Sequence, residues 1–275
     1  MAGFFGFFDY SKPGKGVLKN APLKPRIVVF FEIYFRKFWN LMALNILFFI
    51  FNVPALFIAV IFLSGLFIPT NLGLSADSEF GIRLIIGALM VGIPFITFGP
   101  AQAGFTYVLR NYAREEHAWI WHDFKTQALR NFKQSMIVSF IDLVVLVVVG
   151  LDINMYLQMN NSFLVTIANA LVISSFIIFS MMHMYIYPLM ITFQLTIKQI
   201  YRNALFFTLM RFLPNLGIMI LCTIILVLPL IVVFGMIVFC LITMSTVGLI
   251  INFYVYPTLK KHMMDKIEKL PETIE

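Results

Sequence analysis

Two ionisable side chains lie inside apolar stretches of the sequence and are its first candidates for chemistry. Asp142 lies near the start of the apolar segment that begins at Ser135, and His183 interrupts the run from Phe163 to Phe193. An ionisable group in hydrocarbon costs several kcal/mol unless it is paired or wetted. Because the two residues have comparable depths, we expect a hydrogen-bonded pair. It could relay protons in a carrier or simply join two helices, and we favour the second interpretation.

The rest of the sequence contains no metal cluster, phosphate-binding loop or nucleophile motif, so we expect neither enzymatic activity nor a cofactor. The stretch FGPAQAGF instead has the pattern of a helix-packing motif. Gly99 with Ala103 and Pro100 with Gly104 are spaced for close helix approach. The apolar segments also carry amides that can join helices by hydrogen bonds: Asn45, Asn52, Gln102, Asn169 and Asn252.

Membrane spans are the elements that must position these residues. The chain is 61% hydrophobic and 12% charged, whereas about a quarter of the residues in soluble domains are charged. A span needs roughly 20 apolar residues. The sequence predicts an all-α fold, a polytopic membrane helical bundle with about six transmembrane helices and amphipathic cytoplasmic helices. The predicted spans are Trp39 to Leu66, Leu84 to Leu109, Ser135 to Leu151, Phe163 to Phe193, and two between Arg211 and Lys260, hinged near Pro229 to Gly235.

The distribution of cationic residues predicts the orientation. Of the 20 Lys and Arg residues, all except Arg83 lie on one side of the predicted spans. Because such residues stay in the cytosol, we expect a multi-pass protein of the cell membrane with both termini cytoplasmic. The same topology explains the net charge of +7. We therefore expect the lipid bilayer as a partner and no nucleic acid. The predicted regions are a cytoplasmic arm and interfacial segment (1–37), a six-helix transmembrane domain (38–259) and a cytoplasmic tail (260–275).

Amphipathic segments flank the predicted spans. Residues 26–37 predict either an interfacial helix or an early start of the first span, and the sequence leaves both open. Two cytoplasmic connections have apolar stripes at helical spacing, which predicts helices that lie on the membrane or against a partner. A repeat of span, amphipathic helix and span in each half is a further hypothesis, although no single register aligns the halves. The stripes are Trp121, Phe124, Ala128 and Phe132, and Ile197, Ile200, Ala204 and Thr208.

The segment from Gly99 to Ser135 resembles the YesL-like family of bacterial integral membrane proteins, a domain of unknown function. The stretch FFEIYFRKFWNLMALNILFF looks like the same family, so the resemblance covers most of the chain. The loop from Leu66 to Arg83 is longer than in that family. The matching motif residues are Gly99, Pro100, Ala101, Ala103, Gly104, Arg110, Arg114, Glu115, Asn131, Phe132, Lys133 and Gln134.

This resemblance implies a role in carbohydrate uptake, since members are often encoded beside components of ABC importers. The expected function is a non-enzymatic auxiliary subunit of an oligosaccharide importer, packed against the permease subunits, with the ATPase as a second candidate partner. Two alternatives stay open: a stand-alone proton-coupled carrier that uses Asp142 and His183, and a regulatory scaffold for the ATPase. The candidate partner contacts are Arg110, Arg114, Glu115, Trp121, Phe124, Phe132 and Lys133.

Overall fold

The computed structural model describes residues 24–66, 76–159 and 162–265, with side chains throughout except at 54–66, 76–77, 83–97 and 157. These ranges contain helices and no strand, which confirms the all-α prediction. The predicted arm and tail lie largely outside the described residues. In chain order the helices are α1 (Arg26–Arg36), α2 (Phe38–Leu66), α3 (Ala76–Ala113), α4 (Ile120–Arg130), α5 (Phe132–Gln158), α6 (Phe163–Thr192), α7 (Ile197–Met210), α8 (Phe212–Ile231) and α9 (Gly235–Met264).

Six of the described helices are long and coincide with the six predicted spans. Within the described residues, α5, α6, α8 and α9 are long and apolar enough to cross a membrane. Helices α2 and α3, with 29 and 38 residues, lie where the first two spans were predicted. At 1.5 Å per residue α3 is about 57 Å long, well beyond a hydrocarbon core of about 30 Å. The protein is a helical membrane bundle, and α3 extends outside the bilayer.

The predicted break between the last two spans is confirmed. Helix α8 ends at Ile231, and Phe234 adopts a left-handed conformation with φ of 65° immediately before α9. A Cβ atom added to Gly235 would lie 2.0 Å from the carbonyl oxygen of Pro229. Only glycine therefore fits this tight return of the chain.

Three short helices, α1, α4 and α7, each continue into a long helix through one residue that is not helical. These hinge residues are Lys37, Asn131 and Arg211, with φ of −105°, −98° and −124°. At each hinge the N–H donates to the carbonyl four residues earlier, at 2.9 to 3.3 Å. The hinge carbonyl accepts from the N–H four residues later, at 2.8 to 2.9 Å. Since each hinge breaks the helix, α1 is a separate helix and not an early start of the first span.

These hinges also resolve the repeat hypothesis. Span, short helix and span occur twice, as α3–α4–α5 and α6–α7–α8, but the unit of short helix, hinge and long helix occurs a third time in α1–α2. Asn131 lies at the hinge of its unit, whereas Asn203 lies inside α7, so these two residues do not correspond. In the structure the hinge fixes the register, and each hinge precedes a phenylalanine: Phe38, Phe132 and Phe212.

The described core lies at one end of the bundle. We name it the short-helix end, formed by α1, α4, α7 and the C-terminal parts of α3, α6 and α9. Helix α6 shows the contrast, since Phe163 and Leu164 are 80% and 76% exposed whereas every residue from Met184 to Ile191 is buried. The exposed apolar halves have the character of lipid-facing surface. Among the described side chains, those that hold the helices together therefore lie mainly at the short-helix end.

Candidate functional site

The structure brings Asp142 of α5 and His183 of α6 together, as the sequence predicted. His183 Nε2 lies 2.8 Å from Asp142 Oδ1, and its Nδ1 lies 3.0 Å from the carbonyl oxygen of Phe179. Because a carbonyl only accepts, Nδ1 carries a hydrogen. The contact between Nε2 and Oδ1 then needs one more proton, carried either by an imidazolium or by a neutral carboxylic acid. In both states the pair is neutral overall and holds one exchangeable proton.

Three further polar side chains lie on the two helices of this pair or on the next helix. Ser139 lies one turn before Asp142 on α5, and Tyr201 lies on α7, the helix that follows α6. Their hydroxyl oxygens are buried and, among the described residues, have no hydrogen-bond partner. Tyr187 lies four residues after His183 on α6 and is buried. The side chains of Asp142 and His183 remain 17% and 28% exposed, so the pair lies at the edge of the packed interior.

A second polar cluster, which the sequence analysis missed, joins α6, α7, α8 and α9. The side chain of Asn215 accepts from the hydroxyls of Tyr185 and Tyr254 at 2.7 and 2.8 Å. It donates to the carbonyls of Phe207 and Thr208 at 3.1 Å each, which satisfies the C-terminal end of α7. Asn215 is fully buried. Four bonds to three other helices make this residue the central tie of the short-helix end.

The other interior amides only partly fulfil their predicted role. Asn45 joins α2 to α9, since Nδ2 donates to the carbonyls of Phe239 and Cys240 and Oδ1 accepts from the N–H of Ser245. This contact lies on a π-helical stretch of α9, whose loosened carbonyls it satisfies. Asn52 and Asn252 instead bond carbonyls of their own helices, so for them the prediction was wrong. Their Oδ1 atoms are buried without a partner among the described residues.

The predicted packing motif lies where α3 contacts α4 and α5. A Cβ atom on Gly99 would lie 2.2 Å from the carbonyl oxygen of Ser135, and one on Gly104 would lie 2.4 Å from that of Phe124. Gly99 therefore allows α5 to approach, and Gly104 allows α4 to approach. Pro100 and Ala103 are buried between them. The close approach predicted from the spacing is confirmed, although the two glycines serve different neighbours.

A cleft of about 1080 Å³ opens at the short-helix end between the α4–α5 hinge and the connection from α6 to α7. Arg110, Arg130 and Lys133 line it, and none of the described lining residues is acidic. The side chain of Gln134 ties its two walls by donating to the carbonyl oxygen of Leu195 at 2.9 Å. We call this feature the basic cleft. Its charge suits an acidic or otherwise anionic surface.

The predicted partner contacts divide into surface and interior residues. Trp121, Phe132, Lys133 and Glu115 are exposed, and so is Trp119, at 69%, which the sequence analysis did not single out.

The three other candidates lie partly or fully in the interior: Phe124 is buried, and Arg110 and Arg114 are half-buried. Phe124 is 1% exposed because it packs against α3. Arg110 donates to the carbonyl oxygen of Ile191 at 3.0 Å, and the Arg114 guanidinium lies 4.9 Å from the ring centre of Tyr256. Because α3 continues beyond the bilayer, these arginines meet the ends of α6 and α9. Of the three, only Arg110 also reaches the basic cleft.

Comparison with known proteins identifies one similarity. Residues 41–153, less than half of the chain, match the family described as "Protein of unknown function, DUF624". The matched region includes most of α2, all of α3 and α4 and most of α5, and hence Asp142 but not His183. No curated protein and no solved structure matches the chain. Within the described residues, no cluster of three or more His, Cys, Asp or Glu could hold a metal ion.

Proposed function

We propose that this chain is a non-enzymatic auxiliary membrane subunit of a bacterial carbohydrate importer, which docks on the permease subunits through its short-helix end. The basic cleft and its exposed aromatic neighbours carry the proposal. The resemblance to the YesL-like family supplies the class of partner, an oligosaccharide ABC permease with its ATPase. The strongly one-sided distribution of Lys and Arg supports a short-helix end in the cytosol of a cell-membrane protein.

The chemistry of this surface resembles that of a protein interface. Aromatic residues and Arg are enriched at interface centres. Phe132 lies beside Arg130 and Lys133 in the basic cleft, Trp121 shares a neighbouring pocket with Phe132, and Trp119 is exposed at the other end of α4. Trp121 also packs against Phe51 of α2, at 6.1 Å between ring centres, which fixes its position. A pre-positioned aromatic side chain loses little entropy on binding. These features support the proposal that the surface contacts a protein partner.

Co-purification tests the proposal. A tagged wild-type chain is solubilised in mild detergent from cells that express the importer, and the recovered permease and ATPase are quantified. The double variant Trp121→Ala with Lys133→Glu should recover at least tenfold less permease, since it removes an anchor and inverts a charge. The matched control is Lys198→Glu, an exposed lysine of α7 that does not line the cleft. Recovery of neither subunit by the wild-type chain would refute the docking.

The Asp142–His183 pair favours a second candidate, a stand-alone carrier that couples a substrate to protons. Its supporting observation is the single exchangeable proton that the geometry requires. Purified chain reconstituted alone in liposomes should then move substrate against a proton gradient, and Asp142→Asn should abolish the coupling. An auxiliary subunit should transport nothing under these conditions. A regulatory scaffold for the ATPase would differ from both, since uptake would continue in a deletion strain but lose its regulation.

A further inference from the structure

A second groove lies on the other side of the short-helix end, between α1, α8 and α9. It has a volume of about 670 Å³, within the usual range of about 300–1,000 Å³ for ligand pockets. Most of its lining is aliphatic or aromatic, including Ile218, Leu221 and Ile225 of α8. The hydroxyls of Tyr34 and Thr246 meet at 3.1 Å and tie the α1 wall to the α9 wall.

Two arginines line one end of this groove. Arg26 donates to the carbonyl oxygen of Phe253 at 2.6 Å, and Arg211 donates to Thr258 Oγ1 at 2.5 Å. Each guanidinium also lies over an aromatic ring of α9, at 4.7 and 5.1 Å from the ring centres. In the part of the chain that the structure describes, neither arginine has an acidic partner, and no groove residue is acidic. Burial, and secondly the positive charge of Arg211, lower the pKa of Arg26.

The groove is therefore cationic at one end and apolar along the rest of its length. At 1.5 Å per residue, Ile225 lies about 21 Å along α8 from Arg211. One leaflet of the hydrocarbon core is about 15 Å thick, half of the 30 Å bilayer core. An apolar wall of this length that starts at paired arginines matches the dimensions and charge of a lipid with an anionic headgroup. A soluble anion would use the arginines but leave the apolar wall uncovered.

We propose that this groove binds one anionic phospholipid from the leaflet at the short-helix end. The phosphate lies between Arg26 and Arg211 and accepts hydrogen bonds from both guanidinium groups. An acyl chain covers Ile218, Leu221 and Ile225 along α8. Because α1 contributes one arginine and α8 follows directly on the other, the lipid links the first and third hinge units. This inference is independent of the docking function and of the basic cleft.

Native mass spectrometry of the full chain in mild detergent tests the site. The probes are phosphatidylglycerol and phosphatidylcholine with identical acyl chains. Wild-type protein should retain one phosphatidylglycerol and prefer it over phosphatidylcholine. Arg26→Gln and Arg211→Gln should each lower the affinity for phosphatidylglycerol roughly fivefold and together about 25-fold, with little effect on phosphatidylcholine. The matched control is Arg202→Gln, an exposed arginine of α7 outside the groove, which should bind as the wild type does.

A groove-filling variant provides a second test, in which both arginines stay in place. Leu221→Trp should reduce the binding of both lipids, because the indole occupies the path of the acyl chain. Equal binding of the two lipids by the wild type, or an unchanged preference in the double arginine variant, would overturn the proposal. So would full lipid binding by the Leu221→Trp variant. If the arginine variants lose their folded elution profile, the tryptophan variant alone decides.

Discussion

Replacing Asn215 by leucine tests whether the hydrogen bonds of this residue at the short-helix end stabilise the bundle. The side chain makes four hydrogen bonds and is fully buried. Hydrogen bonds between transmembrane helices contribute about 0.6 kcal/mol each on average, so four contribute about 2.4 kcal/mol. Leucine also leaves two tyrosine hydroxyls and two carbonyls without this partner. We expect the free energy of unfolding to fall by about 2–4 kcal/mol.

The matched control is the same substitution at Asn252. This residue is also buried, but its Nδ2 donates to Gly248 of its own helix and its Oδ1 has no partner among the described residues. Asn252→Leu removes an unsatisfied acceptor and should be neutral or slightly stabilising. The measurement is thermal unfolding of both variants in one detergent, followed by the loss of the monodisperse elution peak. Asn215→Leu should lower the midpoint by roughly 5–12 °C.

The comparison between the two variants shows whether the hydrogen bonds of Asn215 contribute to the stability of the bundle. If Asn215→Leu and Asn252→Leu shift the midpoint equally, the cost reflects the volume change and the network contributes nothing. If Asn215→Leu leaves the midpoint unchanged, the bundle does not depend on this tie. Either result would refute the argument that polar bonds at the short-helix end dominate the stability of the helix packing.

The other predictions also compare a variant that should be destabilised with a matched control variant. Gly104→Ala should destabilise by about 1–3 kcal/mol because its Cβ would lie 2.4 Å from the carbonyl oxygen of Phe124. Gly217→Ala, where nothing lies within 4 Å, should be neutral or gain up to about 1 kcal/mol in the same unfolding assay. Asp142→Asn should cost less than about 1 kcal/mol, because its amide can still donate to His183 Nε2, whereas Asp142→Leu should cost about 1–3 kcal/mol. Equal losses for Asn and Leu in a thermal unfolding series would contradict the proposed bond.

The sequence predicts the helices well because each signal is local. A span can be recognised from the length of its apolar segment alone. The turn between α8 and α9 can be recognised from Pro229 and Gly235. The pairing of Asp142 with His183 could also be predicted. An unpaired ionisable side chain in hydrocarbon costs several kcal/mol, and two such side chains at similar depth in consecutive spans can lower that cost by bonding to each other. The hinges were missed, since a single residue such as Lys37 leaves the apolar pattern almost unchanged.

The polar tie could not be predicted, because it depends on contacts between distant segments. Tyr185 and Tyr254 are 30 and 39 residues from Asn215, and no spacing rule connects them. The interior roles of Arg110 and Arg114 were missed for a related reason. The sequence places them in a cytoplasmic connection, but α3 continues past the bilayer and turns them towards α6 and α9.

The position of the polar contacts explains why the core lies at one end. Apolar side chains gain little by leaving lipid for another helix, so the far halves of the spans have no strong reason to pack tightly. At the short-helix end, the carbonyls of Phe207 and Thr208 near the third hinge accept from Asn215, and Arg211 donates to the hydroxyl of Thr258. These bonds give the short-helix end a packed polar core beside the short helix α7. The basic cleft and the arginine-lined groove lie at this end because their arginines lie at helix ends and at a hinge there.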